Sequence, residues 1–164
     1  MKRAALLFCF ALFTATLSAQ SQPARDETKV KFYCPVAGMP EAKSCCCPGG
    51  YCPRQPSPRH TIDYKGGKIQ LCCSLCEKVM KESPARFAAV ANHQLVATGQ
   101  ATQVACPSCG GKVSAASGEV AGVQVQFCSA DCQKKVAEAA AKDRVEMVFG
   151  DKAFARGYEV RAKK

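Results

Sequence analysis

Tryptophan is absent from this chain of 164 residues, histidine occurs only twice, and large apolar side chains are scarce. The 48% hydrophobic content overstates the core-forming material, because 26 alanines and 13 cysteines supply half of it. Beyond the first 19 residues, only 31 of 145 are Val, Ile, Leu, Met, Phe or Tyr. That supply argues against one large oily core and for small units held by metal ions or disulfides, since each unit buries little surface against its chain entropy. No apolar run of about 20 residues follows the amino terminus, which excludes a membrane-spanning helix there. Paired carboxylates, a Ser/His/Asp set, a phosphate loop and a cofactor fingerprint are also missing, so nothing anchors hydrolase or transferase chemistry and the expectation is a non-enzyme.

What is present begins with a leader. Met1-Lys2-Arg3 precedes an apolar stretch, residues 4–17, and then Ser18-Ala19-Gln20, the three-part layout of a secretory signal cleaved after Ala19. Residues 20–31 are polar and aperiodic and read as a linker. The expected localisation is therefore outside the cytoplasm, periplasmic or secreted, with no stable membrane insertion after cleavage. Losing Cys9 with the leader leaves 12 cysteines, and an even number in an oxidising compartment favours disulfides. Their spacing points elsewhere.

Laid on itself at an offset of 56, the chain aligns Tyr64 through Cys76 with Val120 through Cys132, and Gly66 meets Gly122. Both C-x3-C pairs coincide, Cys72/Cys76 with Cys128/Cys132, while Cys34-Pro35 answers Cys106-Pro107 further upstream. Each copy runs Cys-Pro knuckle, Gly turn, alternating strand (68–71 or 123–127), then C-x3-C opening a helix. Ser74-x-x-Glu77 reads as a capping box, and the second helix starts near Ser129. A helix amino terminus favours thiolate over thiol, the form that binds metal. Ser83-Pro84 starts a further helix to about residue 97, stopped by Gly99. The second copy is expected to continue as helix to about residue 143, then a strand-like 145–149, a short turn of helix and a basic tail, Arg161-Ala162-Lys163-Lys164.

Cys106, Cys109, Cys128 and Cys132 make a complete soft-ligand set, C-x2-C and C-x3-C separated by 18 residues, suited to a closed structural zinc site without an open catalytic position. The first copy offers Cys34, Cys72 and Cys76, but Ala37 stands where Cys109 would. A fourth ligand must come from Cys45, Cys46, Cys47, Cys52, His60 or Cys73, and spacing does not choose among them. The Cys45-Cys46-Cys47-Pro48-Gly49-Gly50-Tyr51-Cys52 run forms either a second thiol-rich site or internal disulfides. Sulfur so crowded suits zinc, Cu(I) or another soft or heavy metal rather than magnesium or calcium.

At these residues the chain resembles the YHS and TRASH family of small metal-associated modules. The likeness rests on Cys34-Pro35-Val36-Ala37-Gly38, on Tyr64-Lys65-Gly66-Gly67 with Leu71-Cys72-Cys73-Ser74-Leu75-Cys76, on Ser83-Pro84-Ala85-Arg86-Phe87, and on Cys106-x21-Cys128-x3-Cys132. The resemblance covers most of residues 32–145. It implies a treble-clef-like knuckle and helix, a role in binding, sensing or carrying transition or heavy metals, and two ligand triads, Cys34/Cys72/Cys76 and Cys106/Cys128/Cys132. The Cys-rich insert and Cys109 depart from it.

Removal of Lys2 and Arg3 with the leader takes the net charge from +10 to +8. Four thiolates around one Zn²⁺ carry a net −2, so two such sites would bring the balance near +4. Lys and Arg are scattered over helix faces, and an exported protein seldom meets DNA; nucleic acid is not an expected partner. His60, in a Pro- and Arg-rich loop, is a candidate ligand, whereas His93 reads as a surface or packing residue. The expected fold is α+β: two small tandem treble-clef-like Cys modules, knuckle, short β-hairpin and helix, joined by a helix. Residues 32–99 form the first, with the insert at about 41–60; residues 100–149 form the second, and residues 150–164 the tail. The expected function is export-coupled metal binding, with zinc held structurally in the second module and a soft metal sequestered, carried or sensed in the first. Two rivals stand beside it. One is a disulfide-stapled secreted interaction module without metal. The other is a thiol redox protein, disfavoured because Cys106-Pro107-Ser108-Cys109 runs into a Gly-Gly turn instead of opening a helix.

Overall fold

The computed structural model describes residues 32–37 and 55–161. The expected leader and linker and Cys45, Cys46, Cys47 and Cys52 lie outside those residues. The described residues form an α+β fold of six strands and five helices, the strands in three two-stranded antiparallel sheets.

The first sheet is a hairpin of β1 (Ser57–Tyr64) and β2 (Gly67–Leu71), the second pairs β3 (Ala101–Gln103) with β6 (Tyr158–Val160), and the third is a hairpin of β4 (Ser117–Val120) and β5 (Val123–Gln126). Both hairpins turn on two residues with positive φ, Lys65-Gly66 (48°, 81°) and Ala121-Gly122 (52°, 81°). This is a primed turn, whose twist matches the strands and whose second position glycine occupies without steric cost. The alternation read from sequence holds: Ile69 and Leu71 point inward in β2, as do Val123, Val125 and Phe127 along β5 and just beyond it.

A two-stranded sheet leaves unpaired backbone on its outer edges, and three glutamines deal with it. The side-chain amide of Gln94 accepts from Gln70 N (2.5 Å) and donates to Gln70 O (3.0 Å). Gln100 does the same for Lys68 (2.7 and 2.7 Å), and Gln103 for Gln126 on β5 (2.9 and 2.6 Å). Each amide stands in for one residue of a missing neighbouring strand, so the outer backbone groups of Lys68 and Gln70 on β2 and of Gln126 on β5 are satisfied from within the chain.

Of the helices, α1 (Ser74–Glu82) buries Cys76 and Met80, four residues apart, and α3 (Ala130–Ala137) buries Val136. The 83–97 segment opens as a 3₁₀ turn at Pro84–Phe87 and continues as α2 (Ala88–Ala97). The carboxy-terminal part differs from expectation. The helix expected to reach residue 143 ends at Ala137, and residues 145–149 belong to α4 (Ala141–Phe149), not to a strand. Val145, Val148 and Phe149 are buried while Glu146 and Met147 are exposed, the i, i+3, i+4 pattern of a helix face. Residues beyond 150 fold as α5 (Asp151–Gly157) and β6.

α2 is the central element, packed against β2, β3, α4 and α5. It carries no charged residue, and its one polar stretch, Asn92-His93-Gln94, is fully buried. These three side chains reach in three directions. Asn92 donates to Phe149 O (2.8 Å) and Asp151 (3.2 Å) at the α4–α5 junction; His93 Nε2 donates to Ala121 O (2.9 Å) in the second hairpin turn; Gln94 grips β2 and donates to Tyr33 O (3.2 Å) beside Cys34. The buried side chains form one contiguous cluster drawn from both halves, running from Cys34 to Tyr158, where the sparse apolar content had suggested separate small cores. Cysteines and a polar helix centre close the gap that missing aliphatic bulk would leave.

Burial holds the His93 imidazole below its ordinary pKa of 6.5, against the opposing effect of its bond to Ala121. With Nε2 donating, Nδ1 is a buried acceptor with no partner among the described residues, so protonation would strand an N–H in a dry interior. Because the folded-state value lies below the unfolded one, the unfolded chain takes the proton first. Stability from this group is complete above pH 6.5 and declines as pH falls through 6.5 toward the folded value. Urea midpoints between pH 7.5 and 5 should fall more steeply for the parent than for His93→Gln, which keeps a donor for Ala121 but cannot titrate; parallel curves would refute the assignment.

Candidate metal centres

The second knuckle is the turn Cys106-Pro107-Ser108-Cys109-Gly110-Gly111. Cys106 N donates to Gly111 O (2.9 Å), Gly110 N returns to Cys106 O (2.7 Å), and Gly110 takes the positive φ (79°) the turn requires. The backbone then passes close to the sulfurs: Gly111 N donates to Cys109 Sγ (3.4 Å), and a Cβ on Gly111 would sit 3.4 Å from both Cys109 Sγ and Cys128 Cβ. Cys128 follows β5, and Cys132 lies in the first turn of α3, whose cap Ser129 accepts from Cys132 N (3.3 Å).

These elements bring Cys106, Cys109, Cys128 and Cys132 together with every sulfur within 4.8 Å of the others. Cys109 to Cys128 is 3.2 Å and Cys128 to Cys132 is 3.5 Å, and all four are free thiols. A disulfide needs about 2.05 Å. Four thiolates about 2.3 Å from one tetrahedral ion stand about 3.8 Å apart, so the spacing fits ligands of a shared cation.

The acid–base behaviour of the quartet agrees. Burial pushes the Cys106 thiol up, but N–H groups of Cys128, Cys109 and Ser108 aimed at its sulfur outweigh that and bring it down to about 7. Cys128 is pushed up to about 12, first by the Cys109 sulfur and then by Cys132. Hydrogen bonds shared with the neighbouring sulfurs hold Cys128 in its protonated form, and a cation bound by the group would displace that proton.

The carboxy-terminal segment buttresses this knuckle. Arg156 on α5 donates to Pro107 O (2.9 Å), and Gly157 O accepts from Val104 N (2.8 Å) and Ala105 N (3.2 Å). A Cβ on Gly157 would meet Pro107 Cα at 3.0 Å and Ala105 O at 3.2 Å, backbone that cannot step aside cheaply. Gly157→Ala is expected to displace Cys106 and weaken cation binding at the quartet about tenfold in a chelator competition, the loss typical when support around metal ligands is disturbed. Unchanged affinity would show that the knuckle holds its shape alone.

The first centre gathers Cys34, Cys72 and Cys76 within 4.8 Å of one another, all three buried. Cys72 to Cys76 is 3.4 Å, and Cys73 lies 3.6 Å from Cys76 and 4.0 Å from Cys72 without joining the mutual group. Cys73 occupies the cap position of α1, as Ser129 does on α3. The expected capping box is not formed: α1 has no side-chain cap, and Glu77 Oε1 instead meets His60 Nδ1 at 2.7 Å. That pairing places His60 on β1, outside the cysteine group. Both cysteine clusters can hold a metal ion, and the donor set does not select which.

Sequence reading missed the Asn92-His93-Gln94 hub and the Arg156–Gly157 buttress. The first had a signal, three polar residues in a helix with no charge on any face, a composition that marks burial. The second had none, because Arg156 is recognisable only by what lies opposite. Comparison with known proteins finds no matching family, no matching curated protein and no matching solved structure.

Proposed function

We propose that this chain is an exported, non-enzymatic metal-binding protein built of two related thiolate centres, allied to the YHS and TRASH modules it resembles. Cys106, Cys109, Cys128 and Cys132 hold zinc. Cys34, Cys72 and Cys76, joined by a donor such as Cys73 or a cysteine of the 45–52 run, hold zinc, Cu(I) or another soft cation, and the protein as a whole serves sequestration, delivery or sensing. The observation that carries this reading is the meeting of two sulfur pairs, 18 residues apart in sequence, at ligand spacing and with free thiols. Equivalent turns in the two hairpins, each leading into a C-x3-C helix, support a tandem origin.

Disulfide staples are the competing reading, favoured by the even cysteine count and the leader. Native mass spectrometry with elemental analysis, on mature protein isolated without added metal, separates the two. Retained zinc or copper with alkylatable thiols is the expected result; bridged cysteines at 106, 109, 128 and 132 without an ion would refute metal binding.

A further inference from the structure

The two centres differ in how solvent reaches them. Cys34, Cys72 and Cys76 are 2%, 4% and 0% exposed and belong to the central cluster. In the quartet only Cys106 is sealed, at 0%, while Cys128 and Cys132 are half-buried and Cys109 is exposed at the tip of its knuckle, beside exposed Gly110. We propose that the quartet is the exchange centre of the protein, passing its cation to an incoming thiolate ligand through release of Cys109, while the buried triad keeps its cation. The inference rests on the metal-binding reading above, and it inverts the division of labour that cysteine spacing suggests.

Thiolate-bound d¹⁰ cations exchange when an entering sulfur bonds to the ion as a resident one departs. The entering thiol gives up its proton and bonds to the cation; the cation–Cys109 bond breaks and Cys109 takes a proton from solvent, with no change in oxidation state. That step needs one ligand open to water and the others anchored. Cys106 is anchored by the knuckle bonds and by Arg156 and Gly157 behind Pro107. Cys128 and Cys132 are fixed by β5 and the capped first turn of α3. The Cys109 sulfur has one backbone donor, Gly111 N at 3.4 Å, beside its contact with Cys128 Sγ at 3.2 Å, and two glycines follow the residue to absorb its movement. Exposed Lys112 and Arg156 flank the knuckle and favour approach of an anionic sulfur. Among the described residues, each triad cysteine is buried within the central cluster, so no triad sulfur is as open to an entering ligand as Cys109.

The test uses full mature chain loaded with Zn²⁺ and freed of excess. Transfer to the chromophoric chelator 4-(2-pyridylazo)resorcinol is followed with and without dithiothreitol, and thiols exposed during the reaction are trapped with isotopically tagged iodoacetamide. The expected result is two phases separated by about tenfold or more in rate. The faster should be accelerated by dithiothreitol and should label Cys109 before any other cysteine. Cys109→Ser should remove the dithiothreitol-sensitive phase and leave the slow one, and Cys76→Ser should do the reverse; if Cys76→Ser fails to fold, the labelling order in the parent still decides. A fast phase that labels Cys34, Cys72 or Cys76, or two ions leaving at one rate, would overturn the exchange assignment while leaving metal binding intact. Failure to retain any ion would overturn both.

Discussion

Cys76→Ser is expected to cost the folded protein at least about 3 kcal/mol, from loss of a sulfur proposed above as a metal ligand together with a serine hydroxyl placed in a dry site. Cys76 is 0% exposed, lies in the first turn of α1 and sits 3.4 Å from Cys72, so its replacement opens the centre that the core surrounds. Measured against a total stability of about 5–15 kcal/mol, that loss lowers the melting temperature by about 10 °C. The comparison that gives it meaning is Cys109→Ser. Cys109 is exposed, and a hydroxyl there is solvated, so its cost should be well under half that of Cys76→Ser. Thermal melts by far-ultraviolet circular dichroism, run in zinc buffer and again with chelator, check both. Equal losses for the two variants would show that burial does not distinguish the centres; a chelator that leaves the melts unchanged would remove coordination from the account of stability.

Gln94→Ala should be comparably damaging, at about 3–5 kcal/mol, although Gln94 makes no hydrogen bond to a cysteine side chain. It is 0% exposed and serves three backbone groups: Gln70 N and O on β2, and Tyr33 O beside Cys34. Alanine leaves all three without that partner and leaves a cavity behind them. Gln94→Glu should be no better. A carboxylate still accepts from Gln70 N but faces the carbonyls of Gln70 and Tyr33 with negative charge, so it must either repel them or carry a proton. Urea denaturation gives the stability, and amide hydrogen exchange at Gln70 gives the cause. In Gln94→Ala the Gln70 amide should exchange faster while amides of the second hairpin keep most of their protection. If Gln70 protection is unchanged, β2 is held by other means.

The two variants fail for different reasons, and together they describe how the chain compensates for its poverty in aliphatic residues. One removes a sulfur that belongs at once to a centre and to the core. The other removes an amide that completes a sheet edge and positions a knuckle. Asn92 and His93 act in the same way on the α4–α5 junction and on the second hairpin turn, so a single helical turn of α2 touches the supports of both centres.

Several features were legible in the residue order because their causes are local. Alternation at Ile69/Leu71 and Val123/Val125/Phe127 gives strands; glycine at the second turn position gives the hairpin turns; a C-x3-C with Ser129 as cap places one sulfur just before α3 and the other in its first turn. The cysteine groupings followed from spacing for the same reason. Short-range geometry also misleads: positions 145, 148 and 149 satisfy a helix as well as a strand, and Ser74-x-x-Glu77 matches a capping box although Cys73 holds the cap position and Glu77 pairs with His60. Tertiary structure alone decided the rest. Which centre is sealed, which sulfur meets water, which remote backbone groups Asn92, His93 and Gln94 reach and why Arg156 and Gly157 stand behind Pro107 all depend on contacts between segments tens of residues apart. Burial and side-chain hydrogen bonds to remote backbone are properties of that assembly, and no period or motif in a linear chain encodes them.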